Sequence, residues 1–481
     1  MNFQIILFTL GFLLLVLGSA LIFPFLMDTI DGHENAKAFG WSAMSALFFG
    51  GALCIGNKNF SKDLEIKHAF FLTVASWVVI CLFCSIPLYV SDLNLSFTDA
   101  IFEGVSGITT TGATVLSGLD SVSRGINLWR GILQWIGGIG IIGFAMILLP
   151  VLRIGGMQLF RSESSDNYDK IMPKTKDIIR SIVQVYIIMT VLCGLTYYTL
   201  GMSGFDAVMH ALTTIPTGGF SSHDASFGFY QSYALRLAGA FFMFLGGIPF
   251  ILYVKFLFRG KCEFWKDPQV RTYCYLLLST VTAMTFYLHW HDHFTFALSF
   301  KHAAFNITSV MTGTGYATTD YSLFGTFSVA IFFFATYLGG CTGSTTGGLK
   351  IMRINIAFQA LGRHLKSLIY PHGKFAVMYQ GKTLDNDVIH AVMGFLFLYV
   401  FCNVILTLAL AVTGLDFMTS LTGAATAIAN VGPGLGDTIG PAGNYSTINT
   451  PAKWLLCFGM LLGRLEILTV LVLFMPSFWR D

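Results

Sequence analysis

Four glycine-centred turns recur along the chain: TTTGAT at 109–114, IPTGGFS at 215–221, TGTGYAT at 312–318 and ANVGPGLG at 429–436. They carry no Asp, Glu, Lys or Arg, so their chemistry must come from the backbone. Glycine tolerates the positive φ angles that turn successive carbonyls toward one side. Four such segments around one axis stack rings of carbonyl oxygens, which can replace the water shell of a dehydrated alkali cation. The candidate donors are Thr110, Thr111 and Gly112; Thr217, Gly218 and Gly219; Gly313, Thr314 and Gly315; and Asn430, Val431 and Gly432. A single glycine-rich turn would more simply mean close helix packing. Four in similar phase, with Ala100, Ala207, Ala303 and Ser420 each twelve residues before the glycine, point to carbonyl rings.

Such turns need elements to hold them. Each follows a semi-apolar stretch, at 96–108, 204–216, 297–311 and 416–430. These are too short to cross a hydrocarbon core of about 30 Å as helices, and they fit re-entrant segments. Their C-terminal ends, partly negative, point at the turns and favour a cation there. Irregular backbone at membrane depth is tolerated where it lines an aqueous cavity. Around them lie ten apolar runs of spanning length, among them 3–27, 230–257, 323–350 and 453–476. The first has no basic start and is longer than a cleaved signal's apolar core of about 7–15 residues, so a retained helix is expected.

Composition agrees. The 481 residues are 54% hydrophobic and 11% charged, against about 25% charged in a soluble chain. Mean hydropathy is +0.69. A cytosolic enzyme, a nucleic-acid binder and a secreted disulfide scaffold are all excluded. The expected fold is an all-α polytopic membrane protein. Two leading helices (1–60) precede four span–pore helix–span repeats at 69–151, 180–258, 271–361 and 384–476, around one central pore. Basic residues concentrate in the connections 57–68, 152–181, 255–271 and 350–387, whereas the opposite set holds Lys37, Arg124, Arg130, Lys301 and Lys453. The positive-inside rule then puts both termini in the cytoplasm.

In these turns and their order the sequence resembles the TrkH/TrkG branch of the Trk/Ktr/HKT superfamily of potassium transporters. The likeness covers nearly the whole chain, including the two leading helices and the ending MPSFWRD. It implies a potassium-uptake subunit of the bacterial inner membrane, with K+ bound at the filter and Rb+ accepted. It also implies a homodimer with one pore per protomer and a cytosolic nucleotide-binding regulator of the TrkA type. Glycine at position 112, where some relatives carry serine, implies preference for potassium over sodium. Asn430 and Val431, standing where the first turn has Thr110 and Thr111, depart from the repeat and imply a less symmetric filter.

The third repeat is interrupted by GGCTGSTTGG, that is Gly339, Gly340, Cys341, Thr342, Gly343, Ser344, Thr345, Thr346, Gly347 and Gly348. So many glycines break a helix, and the segment reads as a loop across the pore, a gate; the alternative is a packing kink. In the Trk/Ktr family the matching segment is an intramembrane loop that obstructs conduction. A phosphate loop is excluded because Ile351 follows Lys350. Arg464 sits within a span and needs a partner or a wet cavity. Glu466 lies on another helix face, so carbonyls of the 339–348 loop are the better candidates, and Arg464 then serves as latch or as static barrier. Asp99, Glu103, Asp206 and Asp224 are expected near the outer mouth, either concentrating cations or simply solvated. His289, His291 and His293 form an outer cluster, a zinc site or an interfacial anchor beside Trp290. Cys81 and Cys84 read as packed thiols. The alternatives are a sodium- or proton-coupled transporter, a weakly selective one, or an intramembrane lipid-processing enzyme; no buried carboxylate stands out in the spans, which counts against the coupled and enzymatic readings. No catalytic residue and no cofactor is expected.

Overall fold

The computed structural model describes residues 3–58, 66–152 and 175–480. Residues 59–65 and most of the basic connection 152–181 lie outside these. The chain is mostly helical; among the described residues the named strands are one short antiparallel pair, Met378–Tyr379 with Lys382–Thr383.

Phe3–Ala20 runs on into Ile22–Ile30 and packs along Asn35–Gly56. Small residues make that approach possible: a Cβ at Gly11 would lie 2.8 Å from the Gly50 carbonyl oxygen. Asp28 fastens this pair to the rest. It is fully buried and accepts hydrogen bonds from the Gly125 N–H at 2.7 Å and the Ser123 hydroxyl at 3.1 Å.

A long helix, a short helix, a turn and a further helix then follow one another four times. The long helices are Ile66–Val90, Thr175–Thr199, Pro268–His291 and Asn386–Val412. The short ones are Phe97–Ile108, Gly204–Thr214, Phe296–Met311 and Phe417–Ala429. Those closing each set begin at Arg124, Tyr233, Thr326 and Thr450. Apolar side chains also cover much of the outside, among them Phe48, Leu195, Phe397, Val400 and Val412. Water would penalise so much exposed apolar surface, and lipid does not. The chain is a multi-pass membrane protein.

The closing helices of the second and fourth sets differ from the unbroken spans that the sequence suggests. Among the described residues five helical segments are singly long and apolar enough to cross: Phe3–Ile30, Asn35–Gly56, Lys67–Val90, Asp177–Thr199 and Asn386–Val412. The run 230–257 is two helices, Tyr233–Gly246 and Phe250–Phe258, bent by 93°. Pro249 caps the second and has no N–H to continue the first. The run 453–476 is likewise two, Thr450–Arg464 and Ile467–Phe474, bent by 112°; Glu466 at the break has φ +61°. In 323–350 the helix Thr326–Tyr337 stops before the glycines and helix returns at Ile351–Ile369, the break that GGCTGSTTGG predicts.

Candidate functional site: four turns and the loop beside them

Each short helix starts on a side-chain cap. Ser96, Ser203, Thr295 and Asp416 accept the N–H of Asp99, Asp206, Leu298 and Thr419. Each also ends in one way. Thr110, Thr217, Gly313 and Asn430 adopt left-handed φ of +54°, +53°, +72° and +54°. The next N–H reaches back into the helix: Thr111 to Ser106 O at 2.9 Å, Gly218 to Thr213 O at 2.8 Å, Thr314 to Ser309 O at 2.8 Å, Val431 to Thr426 O at 3.0 Å. This is the Schellman termination, which satisfies carbonyls that a helix end leaves free. The following glycine is left-handed again, at +83°, +82°, +82° and +97°. Left-handed, ordinary and left-handed residues thus alternate in all four turns, and that alternation brings successive carbonyls to one side.

The turns form a closed circuit. A Cβ at Gly112 would run into the Gly218 carbonyl oxygen, one at Gly219 into Thr314 O, and one at Gly315 into Val431 O. At Gly432 it would meet Thr111 O, completing the ring. Every glycine therefore vacates the space that the next turn's carbonyl fills. Side chains lock the ring from behind. Asn430 Nδ2 donates to Thr111 Oγ1 at 2.9 Å; Thr109 and Thr111 share a hydroxyl hydrogen bond at 2.7 Å, as do Thr312 and Thr314. Gln134 spans the second turn, donating to Gly218 O at 2.6 Å and accepting the Phe220 N–H at 3.1 Å. Tyr445 donates its hydroxyl to Gly432 O at 2.6 Å.

Above the ring, Glu103 and Arg130 form a fully buried ion pair at 2.8 Å. Arg130 also donates to the Ser221 carbonyl at 2.9 Å and lies 4.1 Å from the Phe220 ring centroid, while Glu103 accepts the Val115 N–H at 3.0 Å. The pair ties the first and second turns together. Removing one partner of such a pair costs about 3–5 kcal/mol.

Residues 339–348 pack against the inner ends of these turns. Thr345 Oγ1 donates to Ile215 O at 3.0 Å, and the Thr217 hydroxyl donates to it at 3.4 Å. A Cβ on Gly347 would run into Ala429 O. The loop closes on itself through Gly339 N–H to Leu349 O at 3.0 Å and Gly340 N–H to Thr346 Oγ1 at 3.0 Å. From outside it, the Cys341 N–H donates to Gly247 O at 2.9 Å, the Phe250 N–H to Gly343 O at 3.0 Å, and the Thr342 N–H to Gln269 Oε1 at 2.8 Å. Arg464 donates to Thr345 O at 3.1 Å and to Gly137 O at 3.3 Å. Glu466 pairs with Arg353 at 2.8 Å, so it is no partner of Arg464. A cavity beside the loop is lined by Ser344, Gly348, Lys350, Asn430, Arg464 and Glu466.

Other residues occupy different places from those the sequence suggests. Glu103 and Glu466 are buried carboxylates, each held by an arginine. Asp99 and Asp206 sit in the first turn of their short helices, with Asp99 also bound to Lys453. The signal was present as SFTD and SGFD, the spacing of a capping box. Asp224 accepts the Gly118 and Leu119 N–H groups. Glu103, Glu466, Asp99 and Asp206 are thus tied to neighbouring groups, whereas Asp224 stays exposed while accepting its two N–H groups. His289 hydrogen-bonds Phe294 O at 2.8 Å and His291 pairs with Asp292; among the described residues no three His, Cys, Asp or Glu gather to hold a metal ion. Arg236, whose partner sequence does not reveal, donates to Tyr230 O and Gly228 O.

This arrangement has close counterparts. A family model described as TrkH, cation transport protein, matches residues 35–480. The Trk system potassium uptake protein TrkI of Halomonas elongata is 45% identical over 477 residues, covering 99% of this chain and 97% of its own. TrkH of Escherichia coli, also a Trk system potassium uptake protein, is 35% identical with full coverage of both chains. The crystal structure of the potassium transporter TrkH from Vibrio parahaemolyticus superposes with a TM-score of 0.93 at 33% identity, covering 100% of each chain. The chain belongs to the TrkH family of cation transport proteins.

Proposed function

We propose that this chain takes up potassium across the bacterial inner membrane through a filter built by its four turns. One observation carries the reading: left-handed and ordinary backbone alternates identically in all four turns, and each glycine makes room for the next turn's carbonyl. In this reading the four short helices are pore helices, and the bent and short closing helices count as crossings, making ten. The repeats are 69–151, 180–258, 271–361 and 384–476 after the leading pair in 1–60. Both termini are cytoplasmic, as the distribution of Lys and Arg supports.

The ion is K+, with Rb+ accepted, held by oxygens of Thr110 to Gly112, Thr217 to Gly219, Gly313 to Gly315 and Asn430 to Gly432. The loop 339–348, latched by Arg464, is the gate. A cytosolic TrkA-type regulator releases it, and the protein works as a homodimer. Passive flow is favoured over coupling, because Glu103 and Glu466 are each neutralised by an arginine and leave no free carboxylate of their own for a second ion.

Flux into proteoliposomes, comparing potassium, rubidium, sodium and lithium, tests this. Potassium and rubidium should enter well ahead of sodium without an imposed proton or sodium gradient, and Gly219→Ser should change that order. Flux that appears only with such a gradient would replace the passive pore by coupled transport. An unaltered cation profile in folded Gly219→Ser would remove the filter.

A further inference from the structure

The four turns are alike in backbone but not in what loads their oxygens. Gly218 O, one of the four ring carbonyls, takes the Gln134 amide at 2.6 Å; Gly432 O takes the Tyr445 hydroxyl at 2.6 Å. Both side chains are buried, and neither donor belongs to a filter turn. While Gln134 holds this place, a Cβ on Gly218 would run into its amide. Tyr445 is fixed by its own N–H to Thr114 O at 2.9 Å and by its ring against Phe102, with centroids 5.3 Å apart.

We propose that Gln134 and Tyr445 are positioning residues that set the cation preference, by engaging one lone pair of a filter oxygen in two of the four turns. This rests on the reading of the turns as the filter. A carbonyl has two acceptor sites. A donor on one of them holds the oxygen in place and reduces the charge it can offer an ion. Held oxygens cannot close in on a smaller cation, and a weaker field favours the ion that costs less to dehydrate. Both effects favour potassium over sodium. Without the donor, the oxygen is free to follow the smaller ion.

Tyr445→Phe is the clean test, since it deletes one hydroxyl and keeps the ring. Gln134→Met is its companion. Potassium and sodium affinities would be measured by calorimetric titration of the detergent-purified full chain, which does not require an open gate. One neutral hydrogen bond of about 1 kcal/mol corresponds to about a fivefold fall in the potassium-to-sodium affinity ratio for each variant. Melting temperature and elution profile should stay close to wild type for Tyr445→Phe, separating an altered filter from a damaged fold. Gly219→Ser is the control. If it shifts the ratio while folded Tyr445→Phe does not, the positioning role is wrong. If Gly219→Ser also leaves the ratio unchanged, the filter reading itself falls. Should Gln134→Met misassemble, Tyr445→Phe decides alone.

Discussion

Three of the four left-handed residues that end the short helices are not glycine: Thr110, Thr217 and Asn430. Thr110 and Thr217 each bear a strain of about 1–2 kcal/mol that surrounding contacts must hold in place, whereas asparagine enters this region more readily. The glycines two residues later face a different constraint, because there it is a neighbouring carbonyl that forbids a side chain. Comparing two alanine variants separates the effects. Gly414 has φ +95° with no atom within 4 Å of a Cβ, so Gly414→Ala should cost about 1 kcal/mol of strain. Gly315→Ala adds collision with Val431 O, as Gly219→Ser does with Thr314 O, and should alter or abolish potassium binding, as titration and size-exclusion profiles would report. His223, beyond the second turn, is half-enclosed by Asp120 and Asp206, stacks on Phe229 and lies near His210. Burial alone would lower its pKa, but hydrogen-bonded pairing with Asp206 and Asp120 raises it above 6.5. A raised folded-state pKa adds stability below the unfolded-state value, and that stability is lost as pH climbs past the folded value. His223→Asn should therefore lower the melting temperature near about pH 6 and make little difference near about pH 9.

At the scale of elements, the loop 339–348 is held by several partners; Lys350 donates to Thr346 O from beside it, and Arg464 reaches it with a charged side chain from the last repeat. Arg464→Ala should raise basal potassium flux about tenfold or more, given about 1.5–3 kcal/mol for a hydrogen bond from a charged donor. Flux no higher than wild type in a folded variant would sink the latch. How far these elements were legible in sequence depends on what ends each helix. The stretches 96–108 and 416–430 appear as helices within a residue of those bounds, because Ser96 and Asp416 start them and the turns stop them. GGCTGSTTGG announces its own break. The bend after Arg464 does not: LLGRLEILTV has neither Pro nor Gly at the break, and Glu466 turns there to meet Arg353 from a distant segment. The same blindness to distant partners hid Glu103, Gln134 and Tyr445. Their roles exist only once other repeats are packed against them.

Across the whole molecule, the leading helices are part of the assembly rather than an appendage. Asp28, Asp31 and Asn35 reach Gly125, Arg124 and Asp92 of the first repeat. Asp28→Ala leaves the Gly125 N–H without its buried acceptor and should cost about 2 kcal/mol or more, measured as a lower melting temperature in detergent. An unchanged value would show that Asp28 adds nothing to the hold on the leading pair. The circuit of turns has a further consequence, for biosynthesis. Its first and last members, Thr111 and Gly432, meet only when the final quarter of the chain has been made. Until then a nascent chain has three sides of an ion path and no fourth. If those turns are the conduit, a product that stalls before Gly432 has no complete ion path, because the fourth turn is what closes the circuit.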